Sequence, residues 1–368
     1  MLGGGHSVYP VFAAAARHWW ADKPLYADYH ESEGIDGYRY SPAFAVAFTP
    51  YILLPERVGE IAWNLTNLFL LFLGLEALLR HVLADEGFTS SEKRSLFLVL
   101  ALAGSAVGLW SAQSNALLTA LILFSIVAVV RNSWWSAAWS SATAVFIKIW
   151  PLAWVMLLLV RWPRELFWRF AAACTALAAI PFFTRPPEIV CRQYKDWYLA
   201  LTGTLQGRWP GYRDAWTVWE QLFPPVAPSA YKLLQLVAAF GVLLWWLFLW
   251  KKELKKENTL SQTMLTGYGM WAAWQLLFGP GTEQLTYGLI APATAWAVIL
   301  SFARRQGRVL ALFAWCILAL LSSGDIEQKF TYLLPTPKIV LPLGVVLFVG
   351  WLAGYELSRR RAGAGTNE

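Results

Sequence analysis

The sequence predicts an all-α polytopic membrane protein with about ten or eleven transmembrane helices. Of its 368 residues, 57% are hydrophobic and only 14% are charged, whereas about a quarter of the residues in a soluble domain are charged. Apolar segments close to the length of a membrane-spanning helix follow one another along the chain. Much of the positive charge stands in short clusters beside these segments, so the net charge of +7 indicates membrane orientation rather than nucleic-acid binding.

The apolar segments define the predicted helices one by one. They cover roughly 58–80, 95–110, 112–130, 134–149, 151–161, 165–184, 229–250, 261–278, 284–302, 308–322 and 338–356. Several are shorter than the roughly 20 residues that a perpendicular span needs. The two segments beside Pro151 are either two short helices that meet inside the membrane or a re-entrant hairpin. Irregular backbone at that depth is tolerated only where it faces protein or a water-filled cavity.

Lys and Arg in the short loops predict which helix ends face the cytoplasm. The basic residues of one set of ends are Arg80, Lys93, Arg94, Arg131, Arg161, Arg164 and those within 251–256, 304–308 and 359–361. We therefore expect a basic tail, 357–368, inside the cell. The segments 1–57, 185–228 and 322–338 are then outside. The predicted protein is one multi-pass domain of the cytoplasmic membrane with helix groups at 58–184 and 229–356 and its active site facing outward.

The first residues, MLGGGHSVYPVF, place an outward segment before any hydrophobic span. We expect a first helix to be missing upstream, through a misassigned start codon or a truncated gene. The alternative is a protein with its amino terminus outside, inserted by its first span.

The segment 1–57 is predicted to be an outward loop with interfacial helices. Residues 7–26, SVYPVFAAAARHWWADKPLY, are typical of an amphipathic helix whose Trp and Tyr rings lie at the membrane interface. Pro42, Pro50 and Pro55 divide the following apolar stretch into pieces too short to span. An acidic, aromatic loop followed by such pieces suits the roof of a lipid-facing active site.

Four motifs in order resemble those of glycosyltransferase family 87. YRYSPAFAVAFTPYILLPERVGEIAWNLTN at 38–67 resembles the family's aromatic-x-Tyr-x-Pro signature, its Pro-ended apolar run and its Trp and Asn. SAQSN at 111–115 is similar to a Gly-Gln-x-Asn element, with Ala112 in place of Gly. FIKIWP at 146–151 matches a Lys-x-x-Pro element, and LLFGPGTEQLTY at 276–287 occupies the place of a Ser-Pro turn.

The resemblance implies a membrane hexosyltransferase with the GT-C fold. Such enzymes move a sugar, often mannose, from a polyprenyl-phosphate carrier to a lipid or glycan acceptor at the outer face, with inversion and without a nucleotide-sugar donor. It implies the membrane lipid, the lipid-linked donor and a glycan or glycolipid acceptor as partners. It implies no cofactor and no nucleic acid, and we infer no obligate protein partner. The four His are scattered, so we predict no metal site.

Lys148 stands alone among apolar residues, two residues before Trp150 and Pro151. A lipid phosphate is the leaving group that the resemblance implies, and a nearby cation stabilises its developing charge. We predict that Lys148 binds this phosphate. The alternative is a structural lysine that snorkels or pairs with a buried carboxylate.

An acceptor hydroxyl needs a general base, usually a carboxylate. The family places an Asp in the first outward loop, where this chain has Gly5 or His6. The predicted base is therefore one of His6, Asp28, Glu31, Glu33 and Asp36. The alternatives are that these are solvated loop charges, or that the chain is a catalytically impaired relative.

Glu283 follows the turn formed by Gly279, Pro280 and Gly281, and is either catalytic or a charge at a helix end. Family members often carry His after this turn, where this chain has Leu285 and Thr286. The residues predicted to bind substrate are Arg39, Tyr40, Gln113, Asn115, Lys148, Gln284 and Tyr287. The amides of Gln113 and Asn115 either bind sugar hydroxyls or cap helix ends.

Two other classes of protein fit parts of the pattern. A transporter or flippase for lipid-linked sugars would be expected to show internal repeats with broken helices in matching halves, and no convincing repeat is present. A non-catalytic membrane scaffold would not need Lys148 and Glu283 near an outward mouth.

Overall fold

The computed structural model describes residues 7–204, 211–224, 227–320 and 337–364. It is 81% helical, and its described residues form seventeen α-helices and no strand. The prediction of an all-α polytopic membrane protein is thereby confirmed. The chain divides into two compact units: the first comprises 1–74 and 108–208, and the second comprises 75–107 and 209–368. The predicted first helix group, 58–184, is thus shared between them.

The helices follow the order of the predicted segments. They are α1 (Tyr9–Trp20), α2 (His30–Glu33), α3 (Pro42–Ala47), α4 (Thr49–Ile52), α5 (Glu56–His81), α6 (Ser91–Trp110), α7 (Asn115–Val130), α8 (Trp134–Ile147), α9 (Leu152–Arg161), α10 (Pro163–Ala179), α11 (Pro187–Thr204), α12 (Ala215–Leu222), α13 (Pro228–Leu254), α14 (Leu260–Phe278), α15 (Ala291–Arg304), α16 (Arg308–Leu320) and α17 (Val340–Ala364). Short 3-10 helices occupy Leu83–Glu86, Ile180–Phe183, Gln284–Ile290 and Pro337–Ile339.

Within the described residues, six helical segments are long and apolar enough to cross a membrane. They are Glu56–His81, Ser91–Trp110, Pro163–Phe183, Pro228–Leu254, Gln284–Arg304 and Val340–Arg359. The shorter helices α7, α9 and α16 are also apolar. The predicted apolar segments are helical over most of their described residues, because a helix satisfies each backbone polar group internally.

The first unit is built around α1. Phe12 lies at its centre, with ring centroids 4.8 Å from Tyr40, 5.4 Å from Phe44 and 5.8 Å from Trp63. Ala13 to Ala16 are all buried, so α1 is enclosed on more sides than the predicted interfacial helix would be. Four successive small side chains allow neighbouring segments to approach this helix closely, which periodicity alone does not indicate.

The segment between α1 and α5 is broken by proline, as predicted. Pro42 and Pro50 lie in the first turns of α3 and α4, and Pro55 immediately precedes α5. Ser41 caps α3, because its hydroxyl accepts a hydrogen bond from the backbone N–H of Phe44 at 3.2 Å. The short helices turn the chain back over α1 before α5 begins.

The second unit has its own core and its own buried ion pair. Trp246, Trp271 and Trp296 are almost completely buried. Lys252 on α13 and Glu356 on α17 form an ion pair with Nζ and Oε2 2.7 Å apart, and their side chains are only 6% and 3% exposed. This pair ties α13 to the last helix of the unit.

Candidate active site

Lys148 lies in a break between two short helices of the first unit. It ends α8 in an extended conformation, and Pro151 directly precedes α9. The ten residues of α9 span about 15 Å, roughly half the hydrocarbon thickness of a bilayer. Two short helices thus meet at an irregular segment around Lys148 and Pro151. Irregular backbone at membrane depth is kept only beside protein or a cavity.

The Lys148 ammonium is surrounded by uncharged groups. Its Nζ donates to Oδ1 of Asn115 at 3.0 Å and makes a longer contact with Oε1 of Gln113 at 3.4 Å. It also lies 5.4 Å from the centroid of the Tyr40 ring, within the range of a cation–π interaction. Neither of its hydrogen-bond acceptors in the described part of the chain is a carboxylate. Lys148 is half-buried, and none of these described contacts supplies a negative charge.

A tight turn between α6 and α7 presents the two amides. Ala112 has φ +52°, in the left-handed region that favours glycine. This is the position where the family motif has Gly, so the substitution leaves the turn shape intact. Gln113 and Asn115 are 5% and 3% exposed, and Tyr40 Oη donates to Gln113 Oε1 at 3.3 Å. Both amides thus point at the lysine from a fixed backbone.

Two residues of α5 hold this turn, and neither was among the predicted site residues. Trp63 Nε1 donates to the carbonyl of Ala112 at 2.8 Å. Asn67 accepts the N–H of Leu117, in the first turn of α7, at 3.2 Å and donates to the Trp63 carbonyl at 2.9 Å. Asn67 thus caps α7 from another helix. Their four-residue spacing on one face of α5 was the available signal.

Arg39 is exposed. Its backbone carbonyl accepts a hydrogen bond from Trp197 Nε1 of α11 at 3.3 Å, and the Trp197 ring lies 6.3 Å from that of Phe146, two residues before Lys148. The structure therefore brings Tyr40, Gln113, Asn115 and Lys148 into contact and leaves the Arg39 side chain at the surface.

The predicted first-loop bases are dispersed. His6 lies outside the described residues. Asp28 is exposed, and its Oδ1 accepts the backbone N–H of His30 at 2.9 Å, at the start of α2. Glu31 and Asp36 are exposed. The structure gives these three carboxylates no contact with the Lys148 cluster among the described residues.

Glu33 is engaged by its own neighbours. Both of its oxygens lie 3.0 Å from Nε2 of the buried His18, and Lys23 is 3.4 Å away. Partial burial acts to raise the pKa of Glu33, but the hydrogen bond and charge of His18, with Lys23, outweigh it and hold that pKa below its usual value. Glu33 thus fastens α2 to α1.

Glu283, Gln284 and Tyr287 belong to the second unit. Glu283 is half-buried and pairs through its backbone with Tyr212 in an isolated antiparallel bridge. Gln284 opens the 3-10 helix that leads to α15. The buried Tyr287 donates its hydroxyl proton to the carbonyl of Arg213 at 2.6 Å. These contacts fix the segment around residue 213 against the turn after α14.

An open surface pocket of about 320 Å³ in the first unit was not anticipated from the sequence. Its walls are formed by Pro24, Tyr26, Ala27, Asp196, Leu199 and Ala200. Asp196 on α11 is half-buried. The only sequence signal was an Asp beside Trp197 in a segment already notable for its aromatic residues.

Comparison with known proteins adds a family to this geometry. The model of glycosyltransferase family 87 matches residues 38–280, more than half of the chain. The protein belongs to glycosyltransferase family 87. This confirms the resemblance and makes the chain a membrane glycosyltransferase, which favours the enzyme over a transporter. The matched part of this family 87 glycosyltransferase contains Tyr40, Gln113, Asn115 and Lys148. No curated protein matches the chain.

Proposed function

We propose that this family 87 enzyme transfers a hexosyl group, mannose in the first instance, from a polyprenyl-phosphate carrier to a glycan or glycolipid acceptor. In this proposal the enzyme has the GT-C fold, inverts the anomeric centre, uses no cofactor and works at the outer face of the cytoplasmic membrane. The observation that supports it most directly is the Lys148 ammonium, whose described hydrogen-bond partners are all uncharged.

A half-buried cation without a countercharge attracts an anion. A charge near a low-dielectric wall interacts more strongly than one in water, because solvent screens it less. Gln113 and Asn115 position the ammonium without neutralising it. A phosphodiester of the donor would supply the missing negative charge.

The chemistry of transfer uses the same cation. As the bond between the anomeric carbon and the phosphate oxygen breaks, negative charge develops on the leaving phosphate. A preorganised ammonium stabilises that charge at the transition state more than in the ground state, which is what accelerates the step. Lys148 can do this because its backbone is fixed at the end of α8 and its side chain by Asn115.

The location of the break also suits a lipid-linked donor. The polyprenyl chain of the donor lies in the membrane. The residue that binds its phosphate must therefore lie close to the membrane and be shielded from lipid by protein. We infer that the interruption between α8 and α9 is such a place, because irregular backbone at membrane depth requires protein or water around it.

The decisive experiment compares Lys148→Met with the wild type in nanodiscs. The panel of donors comprises radiolabelled polyprenyl-phosphate mannose, glucose and galactose, and total membrane lipids serve as the acceptor mixture. One charge-assisted contact is worth roughly 1.5–3 kcal/mol. We therefore expect Lys148→Met to lose transfer by about ten- to a hundred-fold or somewhat more and to bind the donor more weakly. Lys148→Arg keeps the charge with a different shape, and we expect partial activity.

Lys232→Met, which removes an exposed lysine of α13, is the matched control and should transfer like the wild type. Wild-type protein that uses no donor of the panel would contradict the donor class. Folded Lys148→Met with unchanged donor affinity and turnover would contradict the role of the lysine.

A further inference from the structure

A surface pocket of about 260 Å³ lies in the second unit, where its wall is formed by α15, α16, α17 and the turn between α15 and α16. The wall is mostly apolar, and Arg304 is its charged residue. Arg304 ends one of the candidate membrane spans, and Ser358, also in the wall, stands one residue before the end of another. The pocket therefore lies at the helix ends that the Arg-rich loops predict to be cytoplasmic.

Two stacked aromatic rings form part of the wall. The rings of Trp351 and Tyr355 are almost parallel, at 8°, with centroids 5.4 Å apart, and both side chains are buried. Trp351 Nε1 donates a hydrogen bond to Oγ of Ser301 at 2.6 Å, which fixes the indole against α15. The pocket thus has a preformed apolar surface.

Two glycines leave open space along α17. Gly350 and Gly354 are exposed and lie four residues apart, so they share one face of the helix. A Cβ at Gly354 would meet nothing within 4 Å, and one at Gly350 would come no closer than 3.8 Å, to Cδ2 of Leu310. Small residues let another chain approach a membrane helix closely. This glycine face of α17 can therefore accept a slender apolar chain.

The Arg304 guanidinium is held in place without a close anionic partner. Its Cζ lies 5.1 Å from the centroid of the Tyr355 ring, within the range of a cation–π interaction. Its Nη2 is 4.0 Å from Oε2 of Glu86, and no hydrogen bond joins its guanidinium to another described residue. The charge of Arg359 also acts on Glu86, so one carboxylate faces two guanidinium groups. The Arg304 side chain is 39% exposed, which leaves its donors accessible to an anion.

We propose that this pocket binds one anionic phospholipid of the surrounding membrane, with the headgroup phosphate on Arg304 and part of one acyl chain along the glycine face of α17. A guanidinium matches the geometry of phosphate oxygens, and basic pockets between membrane helices on the cytoplasmic side bind anionic headgroups. The pocket is smaller than the roughly 300–1,000 Å³ of sites that enclose a small molecule. Its occupant must lie partly outside it, as a lipid with its other chain in the bilayer does. The site is independent of the proposed function.

The test titrates the purified full chain in detergent with phosphatidylglycerol and with phosphatidylcholine of the same acyl chains, and native mass spectrometry measures the bound lipid. We expect the wild type to bind phosphatidylglycerol more tightly. Arg304→Gln should weaken that binding about fivefold, the usual contribution of one arginine near an anionic lipid surface, and should leave phosphatidylcholine unaffected. Gly354→Leu should weaken it at least as much, because the new side chain has free space at its Cβ and fills the pocket. Since Gly354→Leu leaves Arg304 and Glu86 untouched, it decides the question even where Arg304→Gln does not fold.

Each variant has a matched control. Arg305→Gln removes the same charge from an exposed position of the same turn outside the pocket wall, and Gly241→Leu adds the same side chain at an exposed, uncrowded glycine of α13. Both should bind phosphatidylglycerol like the wild type. Equal losses in Arg304→Gln and Arg305→Gln would overturn the proposal, because general attraction to a basic loop would then account for the binding.

Four further results would contradict the assignment. Equal wild-type affinity for the two lipids would remove the role of charge, and unchanged binding by folded Gly354→Leu would place the lipid elsewhere. Displacement of phosphatidylglycerol by an equimolar amount of polyprenyl phosphate would assign the pocket to that carrier lipid. A dimer that Gly354→Leu dissociates would assign the glycine face to a second copy of the chain.

Discussion

Two lysines placed among apolar helices show how one side chain serves two purposes. Lys252 in the second unit meets the carboxylate of Glu356 at 2.7 Å, and both side chains are almost fully buried. Lys148 in the first unit is half-buried and meets the amide oxygens of Asn115 and Gln113. The first cation is neutralised inside the protein, and the second is held in place with its charge intact.

In a membrane enzyme, the partners of a lysine among apolar helices indicate whether it has a structural or a ligand-binding role. A neutralised pair between two helices joins them and leaves no charge for a ligand. A cation fixed by dipoles alone can stabilise an anion from outside the chain. A lysine in the sequence is compatible with either role, and only its partners in the folded protein distinguish the two roles.

Lys252→Met should produce the largest loss of stability. Removing one partner of a buried ion pair costs about 3–5 kcal/mol, because the other charge stays buried without compensation. Thermal unfolding in detergent, followed by size-exclusion chromatography, would measure the loss. A Tm close to that of the wild type would show that the pair is not structural, and the comparison of the two lysines would fail.

The double variant Lys252→Met with Glu356→Leu should regain most of that loss. Apolar replacements of similar volume for a buried ion pair are often neutral or stabilising. The same unfolding measurement checks the result, with Glu356→Leu alone as the control, since it leaves the lysine unpaired. A double variant no more stable than Lys252→Met would mean that shape, and not charge, determines the loss.

Asn67→Ala should loosen the turn that positions the amides. It leaves the N–H of Leu117 without its acceptor, and a lost cap costs typically about 1 kcal/mol of stability. Donor affinity should fall as well, because Asn115 begins the helix that Asn67 caps. Unfolding and donor-binding measurements would be compared with those of Asn64→Ala on the same helix. Unchanged donor affinity would limit Asn67 to a structural role.

Glu86→Gln should produce the smallest change in stability. It extends the comparison of the two lysines to a buried group of negative charge. Burial raises the pKa of Glu86, in part against Gln262, Arg359 and Arg304, and its closest ion-pair partner is Arg304 at 4.0 Å. A raised carboxyl pKa destabilises the folded protein above that pKa, and the penalty disappears as the pH falls through it toward the ordinary value of about 4.3.

The variant should therefore be as stable as the wild type or more stable at neutral pH, by on the order of 1 kcal/mol or less. The difference should shrink on acidification, which unfolding at a series of pH values would detect. A variant clearly less stable at pH 7 would show that the ionised carboxylate is well compensated.

The sequence predicts most of the helices and, within the site, Lys148 and the two amides of Gln113 and Asn115. Long apolar runs and the prolines at 42, 50 and 55 predict helix and its interruptions through local chemistry. Lys148 was conspicuous because charge is costly among apolar residues. The partners of such a residue are a matter of tertiary contact, and Gln113 and Asn115 were indicated through their motif.

The rest depended on long-range packing. The spacing of Trp63 and Asn67 places them on one face of α5, but their backbone partners lie about fifty residues away, and no local pattern identifies those partners. The surface pocket beside Asp196 forms where α11 packs against the segment that follows α1. The burial of α1 depends on which segments surround its alanines, and hydrophobic periodicity cannot supply that.

The segments that pack around α1 are synthesised long after α1 itself. Val8 bonds to the carbonyl of Ser111, and the side chain of Trp19 to Thr184. The backbone of Leu25 is bonded by Gln193, 168 residues later. At about 5–20 residues per second, translation needs roughly ten to thirty seconds to deliver that last partner. During this interval the aromatic face of α1 has no completed core to cover it, so the newborn chain must shelter it in the membrane or at the insertion machinery until α11 emerges.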